Sequence, residues 1–392
     1  MPFEPNSPNA GRLLRHFETR RGEILSLARR LCEVESPSGD GEGSAAVVEL
    51  VVEAAGSLKA ADSIERTPAP DGYGEHFLLR AFGDTFGEGA RTLLLLGHTD
   101  TVHPRGTLAE RPWRETEGRI HAPGVYDMKA ACAVALEALA ACRALGFGTR
   151  RPVVLLLTCD EESGSHSGRA LVEREARRAE CVLVLEPPAP GGRAKTARKG
   201  TGLFTLMVEG RAAHAGLEPE KGVSAVLEIA RQVERVHALA RPEVGTTINV
   251  GTISGGTHAN VVPAAASAEI DVRFSTADEA RRVEEAIRGL TPFDERARLK
   301  VGGGINRPPM ERTPAVAELY QQARRVAASL SIELGEASVG GASDGNFAAA
   351  CGAAVLDGLG VDGDGAHAAH EHILADAVAR RAALLAALVA SL

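Results

Sequence analysis

The stretch RTLLLLGHTDTVHP, residues 91–104, ends four consecutive leucines with His98 and Asp100. Such a run reads as a buried strand, and burying either side chain without a partner costs about 2–7 kcal/mol for the polar atoms alone. A metal ion would be such a partner. The same arrangement recurs along the chain. LLLTCDEESGS places Asp160, Glu161 and Glu162 after an apolar run, and VLVLEPP ends another with Glu186. APGVYDMK sets Asp127 in a glycine-containing loop before a helical pattern, and GDGAHAAH carries His367 near the C-terminus.

Each of these segments alone is a weak signal. Together they deliver carboxylates and imidazoles to one edge of one sheet, where a divalent cation resolves their repulsion. Mixed histidine and carboxylate ligation suits zinc, and manganese or cobalt also accept it. Three carboxylates and two imidazoles are too many for one tetrahedral zinc but fit two ions sharing a bridge. Ions in such pairs sit roughly 3.5–4 Å apart.

Strand-like runs HFLLRAF, TLLLLG, PVVLLLT and CVLVLE must position these groups, with helical patterns DMKAACAVALEALAACRAL and GRALVEREARRA between the later ones. Two helices, over residues 11–34 and from SAAVVELVVEAAGSL, precede them. Strands alternating with helices predict a largely parallel sheet covered on both faces, with ligands beyond the carboxyl ends of its strands. From about residue 200 the order becomes strand–helix–strand–strand–helix–strand, a ferredoxin-like unit. The helix PAVAELYQQARRVAASL, the strand AAVLDG and a closing helix from Ile373 to the C-terminus then return to the first style. The expected organisation is a catalytic α/β domain over residues 1–198 and 309–392, interrupted by an insertion over 199–308.

A formal charge of −8 argues against nucleic acid as a partner. The six cysteines show no CxxC pair, the N-terminal residues lack an apolar secretory core, and no apolar run approaches a bilayer span. A cytoplasmic protein that does not bind membranes is expected.

GHTDTV, APGVYDMK, DEESGS, EPP, AAHAG and GAHAAHEH, in that order, resemble the dinuclear zinc exopeptidases and deacylases. That family includes glutamate carboxypeptidase, acetylornithine deacetylase, succinyl-diaminopimelate desuccinylase and aminoacylase, and the resemblance is nearest to glutamate carboxypeptidase-like members. It implies a zinc-exopeptidase-like α/β fold, with a mixed, largely parallel sheet flanked by helices and an inserted ferredoxin-like α+β dimerisation (lid) domain. It also implies two Zn²⁺ per subunit, with Co²⁺ or Mn²⁺ as substitutes. His98 and Glu186 would hold one ion, Glu162 and His367 the other, and Asp127 would bridge them. By the same resemblance Asp100 would steady the His98 ring through its other nitrogen. Glu161, immediately before Glu162, would be the general acid/base. The sequence departs from the family's usual glycines at Ala122, Ala130 and Ala131, but no ligand or base is missing.

Other matched segments face the substrate. His214 in GRAAHAGLEPEKGVSA would reach across a homodimer to the oxyanion of the other subunit's substrate. Asn260 in SGGTHANVVP and Gly341 in GGASDGN would line the site. Arg307 in INRPPM would hold a substrate carboxylate with its planar fork. His103, His258, His370 and His372 fit the ligand pattern poorly. Glutamate at position 186 matches the carboxypeptidases and acylases, whereas the dipeptidase branch tends to aspartate.

The expected activity is release of a C-terminal amino acid from an N-acyl amino acid or short peptide, with a closing motion between domains. An N-acyl-amino-acid deacylase of the acetylornithine deacetylase or aminoacylase type is the nearest rival. A catalytically silent, metal-stabilised binding protein is a rival of another class, opposed by the retained Glu161. Magnesium phosphoryl transfer is disfavoured by histidine ligation and by the missing GxxxxGK[ST] loop.

Overall fold

The computed structural model describes residues 9–392 except 85 and 88. The chain forms two compact units. The first comprises the chain up to Ala197, Arg312–Val339 and Ser343–Leu392, and the second comprises Arg198–Glu311 and Gly340–Ala342.

Strands of the six-stranded sheet and of the second unit's four-stranded sheet are numbered in chain order. The first five are β1 (Ser63–Ala69), β2 (Gly74–Ala81), β3 (Thr92–His98), β4 (Val153–Thr158) and β5 (Ala179–Val184). The second unit adds β6 (Gly200–Glu209), β7 (Thr247–Gly255), β8 (Ala265–Phe274) and β9 (Arg298–Arg307), after which comes β10 (Ala354–Leu356). Helices α1 (Asn9–Cys32), α2 (Gly41–Ser57), α3 (Ala130–Ala144) and α4 (Arg169–Arg178) precede the second unit. Its own helices are α5 (Ala225–His237) and α6 (Ala277–Arg288), followed by α7 (Pro314–Ser329) and α8 (Ala377–Ser391).

The sheet of the first unit runs β1-β2-β4-β3-β5-β10. Its β4, β3, β5 and β10 are mutually parallel, while β2 lies antiparallel to both β1 and β4. Every residue of β3 and β4 is buried, so these strands read as continuous Leu/Val runs rather than alternating ones. Their register lines up the carboxyl ends. His98 pairs with Thr158, and Leu96 with Val184, so the next residues of all three strands emerge at one edge. Helices α1, α3 and α8 pack on one another, with Leu13, Phe17, Ile24 and Leu31 of α1 facing the core.

The sequence pattern misses β1, whose segment SIERTPA is polar and contains Pro68. It is an edge strand paired only through β2, so it carries no apolar signature. The closing helix also begins later than its composition suggests. His372–Leu374 form a short strand antiparallel to Arg119–His121, which seats Ile373 against Ile120 in the core.

In the second unit the sheet order is β7-β8-β6-β9, all antiparallel. This is the ferredoxin-like order expected from the pattern. Phe204, Leu206 and Val208 of β6 point into a core shared with α5 and α6. Leu203 and Met207, on the other face of the strand, are exposed.

Candidate metal centre

The all-buried β3 holds His98 at a rigid tip, with its ring 1% exposed. His98 Nδ1 lies 3.0 Å from the Asp100 carbonyl oxygen and 3.3 Å from Asp100 Oδ1. On its other side, Nε2 stands 3.2 Å from Asp127 Oδ1 and 3.4 Å from Glu186 Oε1. The second oxygen of Asp127 faces elsewhere. Oδ2 is 3.5 Å from His367 Nε2, which is itself 3.0 Å from Glu162 Oε2. One carboxylate therefore stands between two donor groups, His98 with Glu186 and His367 with Glu162.

Asp127 reaches this position through a loop with tight backbone demands. Gly124 has φ +70°, and a Cβ there would lie 2.5 Å from the Thr101 side chain. Gly97 of β3 leaves room for Met128, whose Cε would sit 2.5 Å from an added Cβ. The buried Lys129 anchors the end of the loop by donating to the Val34 carbonyl at 2.6 Å, and burial lowers its pKa. His367 sits at φ +63°, a left-handed conformation that costs a non-glycine residue on the order of 1 kcal/mol.

Asp100 does more than touch the His98 ring. Its carboxylate accepts the Glu161 N–H at 3.2 Å, the Glu162 N–H at 3.1 Å and the Ser38 hydroxyl. Burial alone would raise its pKa, but His98, Ser38 and the Glu162 N–H hold it below the usual carboxylate range. The same contest runs through the cluster. Burial disfavours charge on Asp127, yet the His367 and His98 rings keep it well below its ordinary value. Burial pushes Glu162 up despite the His367 ring beside it. Burial would also lower His98, but Asp100, Asp127 and Glu186 raise it well above 6.5. Asp127 and Glu162 raise His367 to about 10, against a smaller opposing effect of burial.

The donor chemistry fits divalent metal. His98, Asp127 and Glu162 bring ligand atoms within 4.8 Å of one another, as do His98, Glu161 and Glu186. Glu162 Oε1 is buried without a hydrogen-bond partner, the condition a cation would relieve. A third group, His76, Cys159 and Asp160, has comparable spacing, but its donors are committed to the protein. His76 Nδ1 accepts the Cys159 N–H at 3.3 Å, and the Asp160 carboxylate accepts the Ser167 N–H at 2.6 Å and hydroxyl at 2.8 Å.

The remaining sequence-selected residues belong to the second unit. His214 is exposed, and its Nδ1 accepts the Gly216 N–H at 3.1 Å. Asn260 lies on the neighbouring segment, where its carbonyl accepts the Ala215 N–H at 3.0 Å. Arg307 ends β9 and is 8% exposed, and the Gly341 carbonyl accepts from Arg198 at 3.1 Å. Sequence reasoning passed over Ser38, Glu371 and the structural part played by His103. Ser38 lies in a polar loop with no pattern to mark it. Glu371 follows His367 by four residues in a segment read only for its histidines.

The sequence model of peptidase family M20/M25/M40 matches residues 94–391. The chain belongs to this family. Its members are metal-dependent hydrolases, typically dinuclear. Over 381 residues the chain is 28% identical to carboxypeptidase G2 of Pseudomonas sp. (strain RS-16), covering 94% of this chain and 89% of that protein. It is 31% identical to acetylornithine deacetylase of Myxococcus xanthus over 287 residues, 66% of this chain and 72% of that one. The fold resembles the crystal structure of aminopeptidase PepT from Bacillus cereus, with a TM-score of 0.78 at 23% identity over 94% of this chain and 98% of that one. Among the described residues, no helix of this M20 protein is long and apolar enough to cross a membrane.

Proposed function

We propose that this M20 hydrolase releases a C-terminal amino acid by cleaving the amide bond of an N-acyl amino acid or short peptide. The observation that carries the reading is the placement of Asp127, whose two oxygens face separate His/Glu pairs. Two ions would be held there, one by His98 and Glu186 and one by His367 and Glu162, with Asp127 between; zinc suits the donors, and cobalt or manganese could replace it. Bound, they supply a polarised carbonyl and an acidified water.

The chain's own groups do the rest. Glu161 is buried, its N–H is fixed on Asp100, and its carboxylate lies within the His98–Glu186 group. It takes a proton from the attacking water and delivers it to the leaving nitrogen, so the C–N bond breaks without expelling an amide anion. Arg307 and Asn260 would anchor the substrate carboxylate, with Gly341 lining the site. His214 of the partner subunit would donate to the oxyanion, which calls for a homodimer formed through the second unit. The exposure of His214, of Ile253 on the edge strand β7 and of Leu227 on α5 supports that interface.

Similarity to carboxypeptidase G2 across 94% of the chain supports the carboxypeptidase reading, and the 31% identity to acetylornithine deacetylase favours an acyl-amino-acid deacylase as the second. A hydrolysis screen of N-acyl-glutamates, folate-like conjugates and N-acetyl amino acids, each with zinc, cobalt or manganese, tests both. Preference for acyl-glutamates supports the first, and preference for N-acetyl amino acids supports the second. No turnover of any of them with any metal would refute the enzymatic reading.

A further inference from the structure

Glu371 is 3% exposed and makes an unusual set of contacts. Its Oε1 accepts the backbone N–H groups of Tyr126 at 2.9 Å and Asp127 at 3.1 Å. Its Oε2 accepts the Gly124 N–H at 2.9 Å and lies 2.6 Å from His103 Nε2. Three of the four donors belong to the loop that carries Asp127. Four donors on two oxygens match what an ionised carboxylate can accept, and no neutral side chain of that size offers as many acceptor sites.

The contacts continue outward. His103 is also buried, and its Nδ1 lies 3.5 Å from Arg111 Nη2, which places the ring's donor on the Glu371 side. Arg111 in turn donates through Nη1 to the Ala368 carbonyl at 3.4 Å, one residue beyond His367. Glu371 and His367 share a short loop, which the Arg119–His121 and His372–Leu374 strands fix beside the Asp127 loop. The Asp127 backbone and the His367 segment are thus tied to one buried carboxylate from both ends.

We infer that Glu371, supported by His103, is a positioning residue that sets the Asp127 backbone so that the carboxylate can serve two ions at once. The inference rests on the dinuclear reading given above. Replacing a ligand's support typically weakens metal binding about 10–100-fold. In Glu371→Gln an amide NH₂ must face at least one backbone N–H whichever way it turns, so the loop can no longer hold its place.

The test measures zinc affinity at both positions by chelator competition, and the absorption spectrum of the cobalt-loaded protein. It uses wild type, Glu371→Gln, His103→Ala and Glu137→Gln. Glu137 is a control, because it is 2% exposed and its bidentate bonds to Arg20, at 2.8 Å each, hold α1 to α3. Glu371→Gln should lose about 10–100-fold in affinity with an altered cobalt spectrum. His103→Ala should lose affinity in the same direction but by less, and it carries the test if Glu371→Gln does not fold. Glu137→Gln should melt earlier yet keep wild-type affinity and spectrum. Wild-type metal binding in the Glu371 and His103 variants, or an equal loss in the Glu137 control, would overturn the positioning role alone. A wild-type protein that binds fewer than two ions would overturn the dinuclear reading and this inference with it.

Discussion

Raising the pH from 7 to 9 should tighten zinc binding well past the point at which an ordinary histidine site stops improving. In the metal-free protein His98 is flanked by carboxylate oxygens at 3.2, 3.3 and 3.4 Å, which raise its pKa well above 6.5. His367, between Glu162 and Asp127, is raised to about 10. Both rings are therefore biased toward the protonated form, and a metal can bind only the neutral imidazole. Each ion taken up must expel about one proton, which corresponds to about tenfold in affinity per pH unit at each position. The sign follows from the direction of the shifts. The imidazolium–carboxylate pairs stabilise the metal-free fold fully below about 6.5 and lose that contribution as pH rises through the raised values. Metal binding gains over the same window. His367 has 54% of its side chain exposed, so water screens part of its gain. Zinc calorimetry at pH 7 in two buffers of different ionisation enthalpy counts the protons, and competition at pH 6–9 gives the slope. Affinity that is flat above pH 7, with less than about half a proton released per ion, would refute the argument.

Glu161→Ala should retain both metals by elemental analysis while turnover falls about 10²–10⁴-fold. Loss of metal instead would make Glu161 a ligand and exchange its role with that of Glu162. Mixing inactive His214→Ala and Glu161→Ala homodimers should restore activity at sites built from one intact copy of each residue, and failure to recover any would place His214 within its own subunit's chemistry or outside it. Arg307→Ala should raise KM for acyl-amino acids with a free carboxylate far more than for their amides, and equal effects would remove Arg307 from carboxylate binding.

The fold was readable because its signals are local. Buried strands such as TLLLLGH and VVLLLT are continuous apolar runs, and helices α1, α6 and α7 show amphipathic spacing. The edge strand β1 was not, since pairing on one side leaves its polar sequence unconstrained. Much of the candidate site was legible because parallel strands in register release their next residues at a common edge, which made His98, Glu162 and Glu186 suspect as a group. Glu371 was hidden for the opposite reason. Its partners are backbone N–H groups some 245 residues earlier, and backbone groups leave no mark in a sequence. Asp100 was visible as a neighbour of His98, but its grip on the Glu161 and Glu162 N–H groups arises only when β3 and β4 lie side by side.

That grip has a bearing on how such a centre can be altered. A single residue, Asp100, steadies the imidazole on one flank through its carbonyl oxygen and Oδ1, and its carboxylate pins the peptide carrying the glutamate on the other. An engineer who retunes one flank for a different cation by moving that side chain therefore retunes the opposite flank too. Changes of metal preference at the two positions should be inherited as a pair.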